Sequence, residues 1–138
     1  MSTSTTELTV GDVLMTPDRI PVVTDKTLIK VVLEEMTKFR LGIACVIGDN
    51  NRFLGIFTDG DVRRMLLRDQ RPFSALFADD VINHVVREPA TTTADNGLGA
   101  AIKLMEEKGI WDLPVVDSKG CLTGLLHLHP AIKALLEI

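Results

Sequence analysis

Short apolar runs alternate along this chain with stretches in which apolar residues return every three or four positions. IPVVT (20–24), IACVI (43–47) and RFLGIF (52–57) have strand composition, and GDNN (48–51) between the last two is a turn-forming cluster. Between the first two runs, Leu28, Val31, Val32, Glu35 and Met36 fall at i, i+3, i+4, i+7 and i+8. All but Glu35 are apolar, which predicts a helix with one buried face. DVRRMLLRD (61–69) predicts a second helix.

The same order then returns. PATTT (89–93) reads as a strand, Leu98, Ala101, Ile102 and Met105 as a helix face, and LPVVD (113–117) and LTGLLHL (122–128) as two strands joined by SKG. PAIKALLEI (130–138) is a closing helix, with Pro130 in the first turn, where a missing N–H costs nothing. A constant offset sets Met36 against Met105, Val46 against Val115, Gly55 against Gly124 and Val62 against Ala131. Upstream, with one- or two-residue slips, GDVLMT (11–16) faces DDVINH (79–84). The chain is a tandem duplication, residues 8–70 and 76–138, with RDQRP (68–72) as the joint. Each half reads β-α-β-β-α, so the expected class is α+β. Halves of this size are too small to be comfortable alone. Two of them packing sheet against sheet about a pseudo-two-fold would share a core and leave two equivalent clefts.

Composition narrows the function. Of 138 residues, 46% are hydrophobic but only 4% aromatic, so a core of good size must be mostly aliphatic. A net charge of −4 speaks against a nucleic-acid partner, which would want a basic face. No apolar run is long enough for a membrane helix, and MSTSTT (1–6) lacks the parts of a signal peptide, so a soluble cytoplasmic protein is expected. Two cysteines, Cys45 in an apolar run and Cys121 near a turn, suggest no disulfide framework.

The pattern G-h-h-[ST]-x-x-D after an h-P-V-V strand, duplicated, resembles a cystathionine-β-synthase (CBS) domain pair, or Bateman module, over about residues 8–138. More narrowly, GIFTDGDVRR (55–64) followed by HLH (127–129) is similar to the C-terminal region of arabinose-5-phosphate isomerases of the Kdo (lipopolysaccharide) pathway. Those enzymes carry their chemistry in an N-terminal sugar isomerase domain, which nothing here resembles. The resemblance implies an excised regulatory part or a stand-alone pair, working with an isomerase domain in cis or in trans. It also implies a homodimer through the pair, and a nucleotide or nucleotide-sugar ligand such as CMP-Kdo, another cytidine nucleotide, AMP or ATP.

Thr58 and Asp61 have two readings. Asp61 before VRRMLLR suits a helix cap, accepting backbone N–H bonds near the positive end of the helix dipole. In nucleotide-binding CBS pairs the matching residues grip a ribose diol. Gly60 then allows close approach, while Arg63 and Arg64 pair with a phosphate or stand on a solvated face. The family pattern sets this turn against Ala90, Thr91 and Thr92, and against Ile110, Trp111 and Asp112, where Trp111 stacks on a base or sugar or serves as a core or dimer contact. In the second cleft His127 replaces Thr58 and Pro130 replaces Asp61, which weakens a ribose grip there. The facing residues are Ile20, Pro21, Val22, Leu41, Gly42 and Ile43. His127 and His129, two apart on an extended run, point to one side and line the cleft for an anionic ligand; as metal ligands they are too few, with His84 unplaced. No nucleophile stands at a recognisable spacing from a base, and no phosphate-cradling Gly motif occurs, so catalysis by this chain alone is not expected. The competing role is a ligand-free dimerisation module.

Overall fold

The structure, a computed structural model, describes residues 8–137; the MSTSTT stretch lies outside the described residues. It divides into two compact units. Residues 18–89 form the first, and residues 8–17 with 90–137 form the second.

The first unit contains β1 (Val22–Thr24), α1 (Ile29–Phe39), β2 (Ile43–Ile47), β3 (Phe53–Thr58), α2 (Asp59–Arg68) and a short α3 (Phe73–Phe77). Its sheet has the order β1-β2-β3, parallel then antiparallel. The second unit repeats the plan with α4 (Leu98–Lys108), β4 (Asp112–Val116), β5 (Leu122–His127) and α5 (Leu128–Leu136), β4 and β5 pairing antiparallel. Each unit has its own core. Val32, Met36, Val46, Phe57 and Met65 centre the first; Leu98, Met105, Leu113, Val115 and Leu126 centre the second. Both are largely aliphatic, as composition requires.

Several sequence expectations shift. In α1 the buried face is Ile29, Val32 and Met36, whereas Leu28 and Val31 are both 42% exposed. Leu28 is the extended N-cap and bridges Asp80, so it stands outside the helical period. The PATTT strand shrinks to a single bridge between Thr92 and Val115. The cause is one missing donor. The Cys45 N–H donates to the Pro21 carbonyl in the first unit, but the residue in register with Cys45 is Pro114, which has no N–H. The closing helices begin earlier than read, at Asp59 and at Leu128. The short helix α3 beside the joint has no counterpart in the sequence reading.

The segments ahead of each first strand lie in a unit apart from the strands that follow them in sequence. Val10 is fully buried in the second unit's core and Val81 in the first's. Equivalent backbone bonds hold them. The Val10 N–H donates to the Asn96 carbonyl and the Leu98 N–H to Leu8; the Val81 N–H donates to Thr27 and the Ile29 N–H to Asp79. Val10 is therefore the counterpart of Val81, which corrects the pairing of GDVLMT with DDVINH that set Val13 there. Both segments contain Asp-Val, and so short a match cannot fix register. Each segment then covers a sheet edge: Met15 exchanges two backbone bonds with Leu125, and Val86 exchanges two with Ile56. Such covering removes an exposed pairing edge.

Asp79 fastens the joint to this arrangement. Its carboxylate accepts from Arg71 at 3.2 and 2.6 Å and from the ring Nε2 of His84 at 2.8 Å, and Arg68 reaches the other ring nitrogen at 3.4 Å. The Arg71 hydrogen bond first, and the His84 one second, lower the Asp79 pKa from 3.8 to about 2. A carboxyl depressed in the folded state adds stability above its unfolded pKa and loses it as pH falls through the folded value. Acid titration of unfolding is thus expected to show a loss between about pH 4 and pH 2 that Asp79→Asn removes. Solvent screening at the half-exposed Arg71 limits it to about 1 kcal/mol.

Candidate ligand-binding site

β3 runs directly into α2, and Thr58 is both the last strand residue and the helix N-cap. Its hydroxyl accepts from the Asp61 N–H at 3.2 Å. Asp61 Oδ2 accepts from the Thr58 N–H at 2.8 Å and from the Thr58 hydroxyl at 3.0 Å, which completes a capping box. The other oxygen, Oδ1, accepts from Arg64 Nη2 at 2.7 Å. The helix-cap reading is realised in full. Asp61 is 7% exposed, an unusual place for a carboxylate, while the side chain of its Arg64 partner is 56% exposed. Gly60 makes room for that partner, since a Cβ there would meet the Arg64 guanidinium at 3.1 Å. Arg63 is exposed on the next position of the helix.

The same corner in the second unit is built differently. β5 ends at His127, which caps α5 without a side-chain bond. Asp112 is its Cα partner across the β4–β5 ladder, as Ile43 is of Thr58 in the first unit. Nδ1 of His127 donates to Oδ1 of Asp112 at 2.6 Å, and both side chains are mostly buried. Burial raises the Asp112 pKa above the ordinary carboxylate value, and the His127 hydrogen bond partly offsets this. The paired histidines of the sequence reading are not on one strand, because β5 ends at His127. His129 is an exposed residue of the helix's first turn.

The remaining candidates divide by unit. In the first, Pro21 is buried with its carbonyl bonded to the Cys45 N–H, Val22 is half-buried in β1, and Gly42 accepts from the Asp59 N–H at 3.0 Å. The Asp59 carboxylate lies over Gly42, and both line a hollow of about 310 Å³ with Thr37, Arg40 and the apolar Leu33, Met36 and Leu41. In the second, Thr91 is exposed, whereas the Thr92 hydroxyl is buried and accepts from Asn96 at 2.7 Å. Trp111 is 72% exposed, which removes the core-aromatic reading. Its carbonyl accepts from the Leu128 N–H, the counterpart of the Gly42–Asp59 bond. Among the described residues, no group of three or more His, Cys, Asp or Glu side chains is arranged to hold a metal.

Two features escaped the sequence reading. Arg40 ends α1 in the left-handed region at φ 57°, where its counterpart is Gly109 at φ 64°. Setting RLG (40–42) against GIW (109–111) would have flagged it. The Asp112–His127 bond likewise follows from strand register, which residue lists do not contain.

The corner recurs in both units with its backbone kept and its side chains exchanged, and the family comparison finds the same twofold repetition in the sequence. The CBS domain model matches residues 10–68 and again residues 78–137. The chain belongs to the CBS domain family. This CBS pair is similar to the arabinose 5-phosphate isomerase KdsD of Pseudomonas aeruginosa, 35% identical over 130 residues, which covers 92% of this chain and 38% of that protein. KdsD of Yersinia pestis is 32% identical over 127 residues, covering 92% of this chain and 37% of that protein. The chain thus spans little more than a third of the length of these curated relatives. Among solved structures, CBSX2 in complex with AMP, a CBS-pair protein of Arabidopsis thaliana, matches with a TM-score of 0.83 at 27% identity. That match covers 94% of this chain and 97% of the other. No helix among the described residues is long and apolar enough to cross a membrane.

Proposed function

We propose that this CBS pair is a regulatory module that binds a nucleotide or nucleotide sugar at the Thr58–Asp61 corner and adjusts an arabinose-5-phosphate isomerase-type catalytic domain in cis or in trans. The observation that carries the reading is the buried Asp61 carboxylate, whose outward oxygen is held, among the described residues, only by an exposed arginine. A ribose diol can take the place of Arg64 on Oδ1, leaving the guanidinium free to meet a phosphate. Thr58 stays on Oδ2 and keeps the carboxylate aimed. Similarity to KdsD supports the isomerase link, and the AMP held by CBSX2 supports the ligand class. Cytidine nucleotides, CMP-Kdo, AMP and ATP are the candidates. Binding that favours one state of the pair would shift the states of the enzyme it serves, in a cytoplasmic setting. Sugar isomerisation itself would belong to the catalytic domain.

A thermal-shift screen with CMP, CMP-Kdo, AMP, ATP and S-adenosylmethionine tests this. One nucleotide or nucleotide sugar should raise Tm by several degrees at saturation, and a flat response to all of them contradicts sensing.

A second reading, a homodimerisation module, is favoured by matched apolar exposure. Leu67 on α2 and Leu136 on α5, in register between the repeats, are 73% and 80% exposed. A second copy of the chain is the expected cover, and sedimentation equilibrium decides it, with a monomer at micromolar concentration as the contrary result.

A further inference from the structure

The hollow against the C-terminal end of α1 includes neither Thr58 nor Asp61 and carries chemistry of its own. We propose that it binds a free amino acid with an apolar side chain, Arg40 taking the α-carboxylate and Asp59 the α-ammonium group. This goes beyond nucleotide sensing and does not rest on it.

The floor is apolar, built of Leu33, Met36 and Leu41, and the volume of about 310 Å³ is at the lower end for small-ligand sites. Arg40 and Asp59 line it as one cation and one anion. Neither has an ion-pair partner among the described residues. A simple anion would pair with Arg40 and be repelled by Asp59, and a simple cation would meet the reverse. A wholly apolar ligand would strip water from both charges with nothing in return. A zwitterion answers both. The guanidinium takes a carboxylate through two parallel bonds, and the Asp59 carboxylate takes an ammonium group. The apolar side chain of the ligand then covers the apolar floor.

The second repeat shows that the fold requires neither charge. At the matching positions stand Gly109 and Leu128, so both charges are absent there together. The backbone roles are nevertheless the same. Gly109 ends α4 in the left-handed region at φ 64°, and the Leu128 N–H donates to the Trp111 carbonyl as that of Asp59 does to Gly42. Arg40 takes φ 57°, a conformation that favours glycine and strains a residue with a side chain. Strain held where glycine would serve the backbone better points to a use for the side chain. Gly42 supplies room in turn: a Cβ there would meet the Asp59 carboxylate at 2.6 Å and push it from its place over the hollow.

Amide NMR shifts of Arg40, Leu41, Gly42 and Asp59, followed during titration with L-leucine and with L-methionine, test the site directly. At least one amino acid should move these amides saturably. L-Leucinamide, which lacks the carboxylate, and isocaproate, which lacks the ammonium group, should each bind about tenfold or more weakly than L-leucine or L-methionine. Arg40→Gly should weaken binding about tenfold or more and keep cooperative melting, since Gly109 serves at the matching place. Asp59→Asn should weaken it similarly, with melting again cooperative. No shift with either amino acid, equal binding of a one-charge analogue, or undiminished binding in either variant overturns the inference. Nucleotide enters none of these titrations, so failure here and failure of nucleotide sensing are told apart.

Discussion

Gly55→Ala and Gly124→Ala are each expected to destabilise the fold by about 3 kcal/mol, measured by denaturant unfolding. The two glycines occupy the same place in β3 and β5, and each lies under a backbone carbonyl, that of Val86 in the first unit and Met15 in the second. These carbonyls accept the N–H bonds of Ile56 and Leu125, so they cannot retreat without breaking a covered sheet edge. A methyl group at either glycine must displace backbone, not the end of a side chain. Gly60→Ala is the control. There the added methyl meets the far end of Arg64, which can swing aside, and the change should stay within about 1 kcal/mol of zero. Equal, small losses at all three positions would show that the covering segments do not hold the sheet edges.

Asp61→Ala is expected to cost about 2 kcal/mol and to abolish nucleotide binding together. The substitution leaves the Thr58 N–H and hydroxyl without their acceptor and releases Arg64 to solvent. Asp61→Asn separates the two roles. The amide oxygen can still accept from the Thr58 N–H, so most of the stability should return, while the charge needed to hold a diol in competition with water does not. Chemical unfolding reads the first effect and calorimetric titration the second. A protein with Asp61→Asn that binds as the wild type does would assign Asp61 to the cap alone.

The doubled plan is legible in the sequence because one constant spacing relates core residues such as Met36 with Met105 and Val46 with Val115, all buried in their own units. Applied strictly, that spacing would also have set Ile29 against Leu98 and found the true face of α1. Helical periodicity alone admitted Leu28 and Val31, because it cannot locate a helix start to within one residue. The relation of Val10 to Val81 was hidden for another reason. It is carried by backbone hydrogen bonds, which leave no mark on residue type. The shortened first strand of the second unit was in plain view as Pro114, but only the ladder shows that its missing N–H faces an acceptor. At the candidate site, the Thr58–Asp61 box was legible as a cap and as a grip, since both need a hydroxyl and a carboxylate three apart. The second corner read as a loss because Pro130 stands where the acid should be, and the Asp112–His127 bond found there joins residues far apart in sequence and adjacent in register.

The most direct measurement is calorimetric titration of AMP and of CMP into the wild-type chain and into Asp61→Asn at matched concentration and pH. Saturable binding of at least one nucleotide to the wild type, weakened about tenfold or more in Asp61→Asn while its unfolding stays cooperative, is the predicted result. Binding of equal strength to both proteins, or no heat from either nucleotide with the wild type, would contradict it.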